Sequence, residues 1–324
     1  MSARPRILLT RRWTAEVEQH LARQFDVTLN EADVPLDAAA LRRATTEYDA
    51  LCPTVTDRID RAVLDVPGRR LQLIGNFGVG FNHIDVEAAR ELGVRVSNTP
   101  DVLTEATADL AVLLMLMVAR RAGEGERELR ASRWTGWRPT HMMGQDLEGK
   151  RLGLIGFGRI AQATARKARA AFGMRIAYNS RRRAAAAVET QYHAEFIDSV
   201  DELVATCDVI SLHCPGGAET HHLINAERLR RMPRTAMLIN TARGTVVDET
   251  ALAEALAQRR IAGAGLDVYE AEPKVHPDLL ALDNVVLLPH LGSGTQETRT
   301  AMGMRVAENL EAFFGGRPLR DPVV

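Results

Sequence analysis

The segment Arg151-Leu-Gly-Leu-Ile-Gly156-Phe-Gly158-Arg-Ile-Ala161 constrains this chain more than any other stretch. A short apolar run reads as a strand, Gly-x-Gly-x-x-Ala follows, and residues 160–171 read as a helix. Gly156 permits a tight turn, Gly158 lets the backbone approach a pyrophosphate, and Ala161 still allows close packing of helix on strand. The helix N-terminus then offers N–H groups and a favourable dipole to the anion. Glycine turns are common, so the pattern alone is weak. The strand before it and the helix after it supply the context that points to a dinucleotide.

The rest of the chain alternates in the same way. Residues 7–10, 27–29, 50–52, 71–76 and 94–97 are β-like, with helical stretches at 14–24 and 38–44. A long helical stretch at 103–121 and an irregular segment rich in Trp and Gly lead into a second series. Its strands are expected at 151–155, 175–178, 209–212, 237–240, 263–266 and 285–288. A further helix at 249–258 follows Asp248, a good N-cap residue. Repeated β-α-β units imply parallel sheets covered on both faces by helices. The expected fold is therefore α/β, with one unit over 1–98 and another over 99–288. The helix at 295–314 has no strand after it and is expected to return to the first unit.

Composition removes several function classes. The 324 residues carry 41 Lys+Arg against 42 Asp+Glu, a net charge of −1, so the basic face that nucleic acid requires is not implied. Cys52, Cys207 and Cys214 form no CxxC pair, which argues against a disulfide framework or a metal site and fits a reducing compartment. The opening MSARPRILLT runs straight into charge, unlike a signal peptide, and the most apolar run, 110–119, is about half a bilayer span. A cytoplasmic protein with no membrane partner is expected.

The second strand of the nucleotide unit indicates which dinucleotide is bound. Met174-Arg-Ile-Ala-Tyr178 is followed by Asn179-Ser180-Arg181-Arg182-Arg183, with no carboxylate before Glu189. A carboxylate here would accept from the ribose 2′-hydroxyl of NAD and repel a 2′-phosphate. A hydroxyl from Ser180 and guanidiniums from Arg181 and Arg182 would instead bind that phosphate. NADP(H) is the preferred reading and NAD(H) the possible one; the alternative for these arginines is a solvated loop.

Three polar residues follow the ends of later strands: Arg243 in Leu238-Ile-Asn-Thr-Ala-Arg243-Gly, Glu272 in Gly265-Leu-Asp267-Val-Tyr-Glu-Ala-Glu272-Pro, and His290 in Leu287-Leu-Pro-His290. Open parallel sheets bind ligands at that edge. Hydride transfer to a 2-oxo acid needs a guanidinium for the carboxylate, an acid/base near neutrality, and a carboxylate to orient it. Arg243, His290 and Glu272 match these roles by type. Each has a bland reading as well, as a surface charge, a turn cap or a loop residue.

Taken with Gly75-Asn-Phe-Gly-Val79-Gly80-Phe-Asn-His-Ile-Asp85 and Asn98-Thr-Pro-Asp-Val-Leu-Thr-Glu-Ala-Thr107-Ala-Asp109, these motifs resemble the D-isomer-specific 2-hydroxyacid dehydrogenases over nearly the whole chain. The resemblance implies two Rossmann-like, doubly wound domains with an interdomain active-site cleft. Residues 1–98 plus 289–324 would bind substrate, residues 99–288 the dinucleotide, and the cofactor domains would form a homodimer. It makes Arg243 the carboxylate ligand, His290 the acid/base and Glu272 its partner, with the backbone of Val79 and Gly80 also on the carboxylate. Thr107, Arg159, Ile160, Cys214, Pro215, Thr241, Asp267, His290, Gly292 and Ser293 would join Gly156 and Gly158 around the cofactor.

Within the family the chain is most similar to NADP-dependent glyoxylate/hydroxypyruvate reductases, which implies a small 2-oxo acid as substrate. A D-lactate-type 2-oxo acid, phosphite, or a non-catalytic nucleotide-sensing role like that of corepressors are the alternatives. Trp134 and Trp137 would either reach a neighbouring active site or pack at the dimer interface.

Overall fold

The computed structural model describes residues 4–324. Two compact units make up the chain, one holding residues up to Leu103 together with Ser293–Val324, the other Thr104–Gly292.

In the first unit, β1 (Arg6–Leu9), β2 (Asp26–Leu29), β3 (Ala50–Cys52), β4 (Leu73–Gly75) and β5 (Arg95–Ser97) form a parallel sheet in the order β2-β1-β3-β4-β5. This is the flavodoxin-like order, in which the winding reverses between the first and third strands. Ala50, Leu51 and Cys52 of β3 are wholly buried, as expected for a strand covered on both faces. The helix Gln296–Phe314 packs on the helix Ala15–Gln24 and on β4. Val306, Ala307 and Leu310 thereby join Ile7, Leu9 and Val17 in one core. Gly303 sets the approach of those two helices, since a Cβ there would lie 2.8 Å from Val17 Cγ1. The C-terminal helix thus packs within the first unit.

The second unit contains β6 (Arg151–Ile155), β7 (Arg175–Asn179), β8 (Ala194–Phe196), β9 (Val209–Leu212), β10 (Met237–Asn240), β11 (Gly263–Leu266) and β12 (Val285–Leu287). All are parallel, in the order β12-β11-β10-β9-β6-β7-β8. The chain winds outward from β6 to β8, returns to β9, and builds the other half. The reversal between β6 and β9 is the position where such sheets leave a ligand crevice at their carboxyl ends. Both units are accordingly Rossmann-like parallel α/β layers.

The helix Thr104–Ala119 packs on β10, β11 and the helix Arg159–Phe172, burying Ala108, Ala111, Leu114 and Met115 while Leu113 stays exposed. The units divide after Leu103, where this helix starts, and after Gly292, a few residues beyond the divisions at 98 and 288 read from strand alternation.

Two elements depart from the sequence reading. The segment after Arg121 opens with a helix, Ala122–Arg130, set off from its predecessor by Arg121 in the left-handed region (φ 53°). The irregular stretch begins only after it. The edge strand β8 was not expected, because Ala194-Glu195-Phe196 is short and only partly buried. No helix of the described residues is long and apolar enough to cross a membrane.

Candidate active site

The glycine turn sits beside the reversal of the second sheet. Gly156 has φ 88°, and a Cβ there would lie 2.8 Å from Cys214 N and from His213 C. The turn leaving β6 therefore presses on the chain leaving β9, and a side chain would be both strained and obstructed. Phe157 anchors the turn by stacking on Tyr178 of β7, with ring centroids 4.1 Å apart.

His213 is half-buried, its loss of water contact pushes its pKa down to about 4, and its Nε2 lies 2.9 Å from Ser211 Oγ. Burial pushes the Cys214 thiol up to about 11. These groups are neutral at ordinary pH, and the segment contributes close backbone rather than charge.

At Gly158 the opposite holds, since a Cβ would meet nothing within 4 Å. Gly158 precedes the helix Arg159–Phe172, whose N-terminus has no side-chain cap and no acidic residue in its first turn. Thr241, just after β10, carries a buried hydroxyl with no hydrogen-bond partner among the described residues. A tight turn, an open approach to a helix N-terminus and an orphaned hydroxyl fit a dinucleotide at this sheet edge.

The three arginines after β7 are not equivalent. Arg183 donates twice to Glu189, through Nε at 2.8 Å and Nη2 at 2.9 Å, and Glu189 also accepts from Tyr178 OH at 2.6 Å. Arg181 forms an exposed pair with Glu219 at 3.1 Å, and Arg182 has no carboxylate partner among the described residues. Ser180 Oγ donates to the Arg182 carbonyl at 2.6 Å. Ser180, Arg181 and Arg182 thus face solvent at the turn while Arg183 is committed to the fold.

Arg243, Glu272 and His290 are brought together in this unit by backbone contacts. Asn240, ending β10, shapes the turn that carries Arg243: Nδ2 donates to the Arg243 carbonyl at 2.9 Å and Oδ1 accepts from Ala242 N at 3.0 Å. Gly244 lets that turn lie flat on the next loop, because a Cβ there would fall 1.8 Å from Tyr269 C. The same loop carries Glu272. Its Oε1 accepts from Tyr269 N at 3.0 Å, and its Oε2 lies 2.9 Å from His290 Nδ1. Since an ionised carboxylate only accepts, Nδ1 carries the proton and Nε2 is left for another partner.

Asp267 holds the turn around His290. Its carboxylate accepts from Leu291 N at 2.6 Å and Gly292 N at 2.8 Å, while its carbonyl accepts from His290 N at 2.9 Å. His290 itself is left-handed, with φ 55°, a conformation that costs a non-glycine residue energy and persists where neighbours enforce it. Thr107 Oγ1 donates to the Gly292 carbonyl at 3.1 Å, so Thr107, Asp267 and Gly292 form one connected group.

Charge is distributed to match. Burial works against ionisation of Glu272, but the hydrogen bond and charge of His290, the Tyr269 N–H and the Arg243 charge outweigh it. The carboxyl is held below the ordinary glutamate range. Burial lowers the pKa of Arg243 against the opposing charge of Glu272, yet a guanidinium stays ionised. Burial raises Asp267 despite its two N–H donors and the charge of His290.

The remaining expected residues are dispersed. Pro215 accepts from Thr220 Oγ1 at 2.7 Å on the loop after β9, while Val79, Gly80 and Ser293 belong to the first unit. Trp134 and Trp137 are strongly exposed, on the irregular stretch after the helix Ala122–Arg130. Tyr269 and Asn240 shape this arrangement in ways that residue type alone does not reveal, the first through its backbone N–H and the second through a side-chain amide that holds a turn.

Comparisons with known proteins agree in kind. Residues 112–292 match the family model described as D-isomer specific 2-hydroxyacid dehydrogenase, NAD binding domain. A glyoxylate reductase of Thermococcus onnurineus is 44% identical over 317 residues, 97% of this chain and 94% of that protein. A Thermus thermophilus protein of solved structure superposes with a TM-score of 0.90 at 44% identity, covering 98% of this chain and all of that one. An NADPH-dependent glyoxylate/hydroxypyruvate reductase from Sinorhizobium meliloti, solved with NADP and malonate, gives 0.88 at 35% identity, covering 99% of this chain and 97% of that one.

The depressed Glu272 pKa sets a stability prediction. Its ionised form stabilises the fold fully above the ordinary glutamate value of 4.5, and that contribution is lost as pH falls through the lower folded value. Urea midpoints of the wild type and Glu272→Gln should therefore differ most near neutral pH and converge in acid. A gap that stays constant down to pH 3 contradicts this assignment.

Proposed function

Because the chain belongs to the D-isomer specific 2-hydroxyacid dehydrogenase family, and is an oxidoreductase, we propose that it reduces glyoxylate and hydroxypyruvate with NADPH to the D-2-hydroxy acids. The observation that carries this reading is the His290–Glu272 bond beside half-buried Arg243, in the unit that holds the glycine turn.

Arg243 binds the substrate carboxylate through its guanidinium, and its partial withdrawal from water strengthens that interaction. When bound, a reduced nicotinamide supplies the hydride to C2. His290, doubly protonated, donates from Nε2 to the carbonyl oxygen as negative charge develops there. Glu272 keeps the ring oriented through Nδ1 and compensates the imidazolium. The neutral ring left behind keeps its Nδ1 proton on Glu272, ready to accept from a hydroxy acid in the reverse direction. In the first unit, the Val79 and Gly80 amides offer further donors for a carboxylate.

Ser180, Arg181 and Arg182 support NADPH over NADH, since they present a hydroxyl and two guanidiniums where an NAD site has a carboxylate. The Sinorhizobium meliloti relative, described as NADPH-dependent and solved with NADP, points the same way. We also assign a homodimer to the second unit. Leu129, Trp134, Trp137 and Met143 are large apolar residues exposed on one stretch of it, a pattern that marks interaction surfaces.

A steady-state panel of 2-oxo acids with both dinucleotides tests the activity. Glyoxylate and hydroxypyruvate with NADPH should give the highest kcat/KM. Preference for a bulky acid or turnover of phosphite sinks the substrate assignment, and inactivity with intact NADPH binding favours a sensor. Separately, Ser180→Asp should lower the ratio of NADPH to NADH efficiencies by about 10- to 100-fold, the worth of one charge-assisted hydrogen bond. An unmoved ratio means the 2′-phosphate lies elsewhere.

A further inference from the structure

The loop after β4 carries an arrangement that no catalytic group explains. Asn76 follows Gly75 directly and is wholly buried. Its Nδ2 donates to the carbonyls of Gly78 and Gly80, each at 3.0 Å. Two carbonyl partners fix which end of the amide is nitrogen, so Oδ1 must accept. His83 Nε2 lies 3.0 Å from it and therefore carries a proton. From the neighbouring strand end, Asn98 Nδ2 donates to the Val79 carbonyl at 2.8 Å and Thr99 N to the Gly78 carbonyl at 3.1 Å.

The carbonyls of Gly78, Val79 and Gly80 are thus all held by the protein. In a planar trans peptide the C=O of one residue and the N–H of the next point in opposite directions. Holding the carbonyls of Gly78 and Val79 therefore turns the N–H groups of Val79 and Gly80 away. Neither N–H donates to any atom of the described residues, and both residues are only half buried. Successive outward N–H groups form a concavity suited to an anion.

We propose that Asn76 is a positioning residue for the substrate carboxylate, holding the Val79 and Gly80 amides preformed as its receiver. This rests on the 2-oxo acid reduction proposed above. Asparagine suits the position because aspartate would face two carbonyls with an acceptor, and alanine would leave the Gly80 carbonyl unmet and remove the acceptor from His83 Nε2. The asparagine itself never touches substrate; it acts through the backbone it holds.

The test compares wild type with Asn76→Asp and Asn76→Ala, and uses Asn98→Ala as a milder variant should the buried changes prevent folding. The KM for glyoxylate should rise about tenfold or more, with the KM for NADPH unmoved and kcat changed less, the pattern of lost ground-state binding. Oxamate, a carboxylate that is not reduced, reads the receiver without turnover: its Kd for the NADPH complex, measured by calorimetry, should rise in parallel. Variants that fold and keep wild-type KM and oxamate affinity overturn the role of Asn76, as does an equal loss of NADPH and oxamate binding, which marks a general structural defect. A wild type that binds oxamate but does not reduce glyoxylate overturns the proposed activity instead, and the same calorimetric comparison still decides the role of Asn76.

Discussion

The hydrogen bond between His290 Nδ1 and Glu272 Oε2 is the contact around which much of the second unit is arranged. A carboxylate and an imidazole on separate loops meet at 2.9 Å only if both loops are held. Tyr269 N–H fixes one carboxylate oxygen, and Asp267 binds the backbone on both sides of the imidazole's Cα. The left-handed backbone at His290 is an energetic cost that these bonds offset. A ring so placed has its second nitrogen available and its first committed, which is the state a directional proton donor needs.

The other constraint is proximity of backbone to backbone. Gly156 and Gly244 occupy the two places where strand-end loops of the second sheet press on their neighbours, the first on His213–Cys214 and the second on Tyr269–Glu270. The parallel sheet delivers every loop to one edge, but glycine sets how closely they meet there. The consequence is a half-buried guanidinium, a depressed carboxyl and an imidazole gathered within the unit that also holds an uncapped helix N-terminus. In the first unit the analogous work is done by side-chain amides: Asn76 and Asn98 hold a loop whose carbonyls would otherwise be free to turn.

How much of this could be read from the sequence varies with the kind of signal. Central strands buried on both faces are continuous apolar runs, so β6, β9, β10 and β11 start and stop where that pattern does. β8 has no such pattern because it is a three-residue edge strand with Glu195 at its centre. The helix Ala122–Arg130 buries no residue and contains two glycines, leaving neither a stripe nor a propensity to read. Arg243, Glu272 and His290 were recognisable by residue type and by their place after strands. Tyr269 and Asn240 were not, since one contributes its backbone N–H and the other shapes a turn. Arg181, Arg182 and Arg183 look alike in the sequence, and only the position of Glu189 shows that the third belongs to the fold.

The central claim is that the imidazole of His290 gives the proton as hydride reaches the substrate. Single-turnover mixing of enzyme and NADPH with saturating glyoxylate, followed by loss of reduced-nicotinamide absorbance, measures that step directly in wild type and His290→Gln. Hydride transfer should slow by about 10²- to 10⁴-fold, the usual contribution of a positioned acid, with NADPH affinity retained. A variant that transfers hydride at the wild-type rate would contradict it.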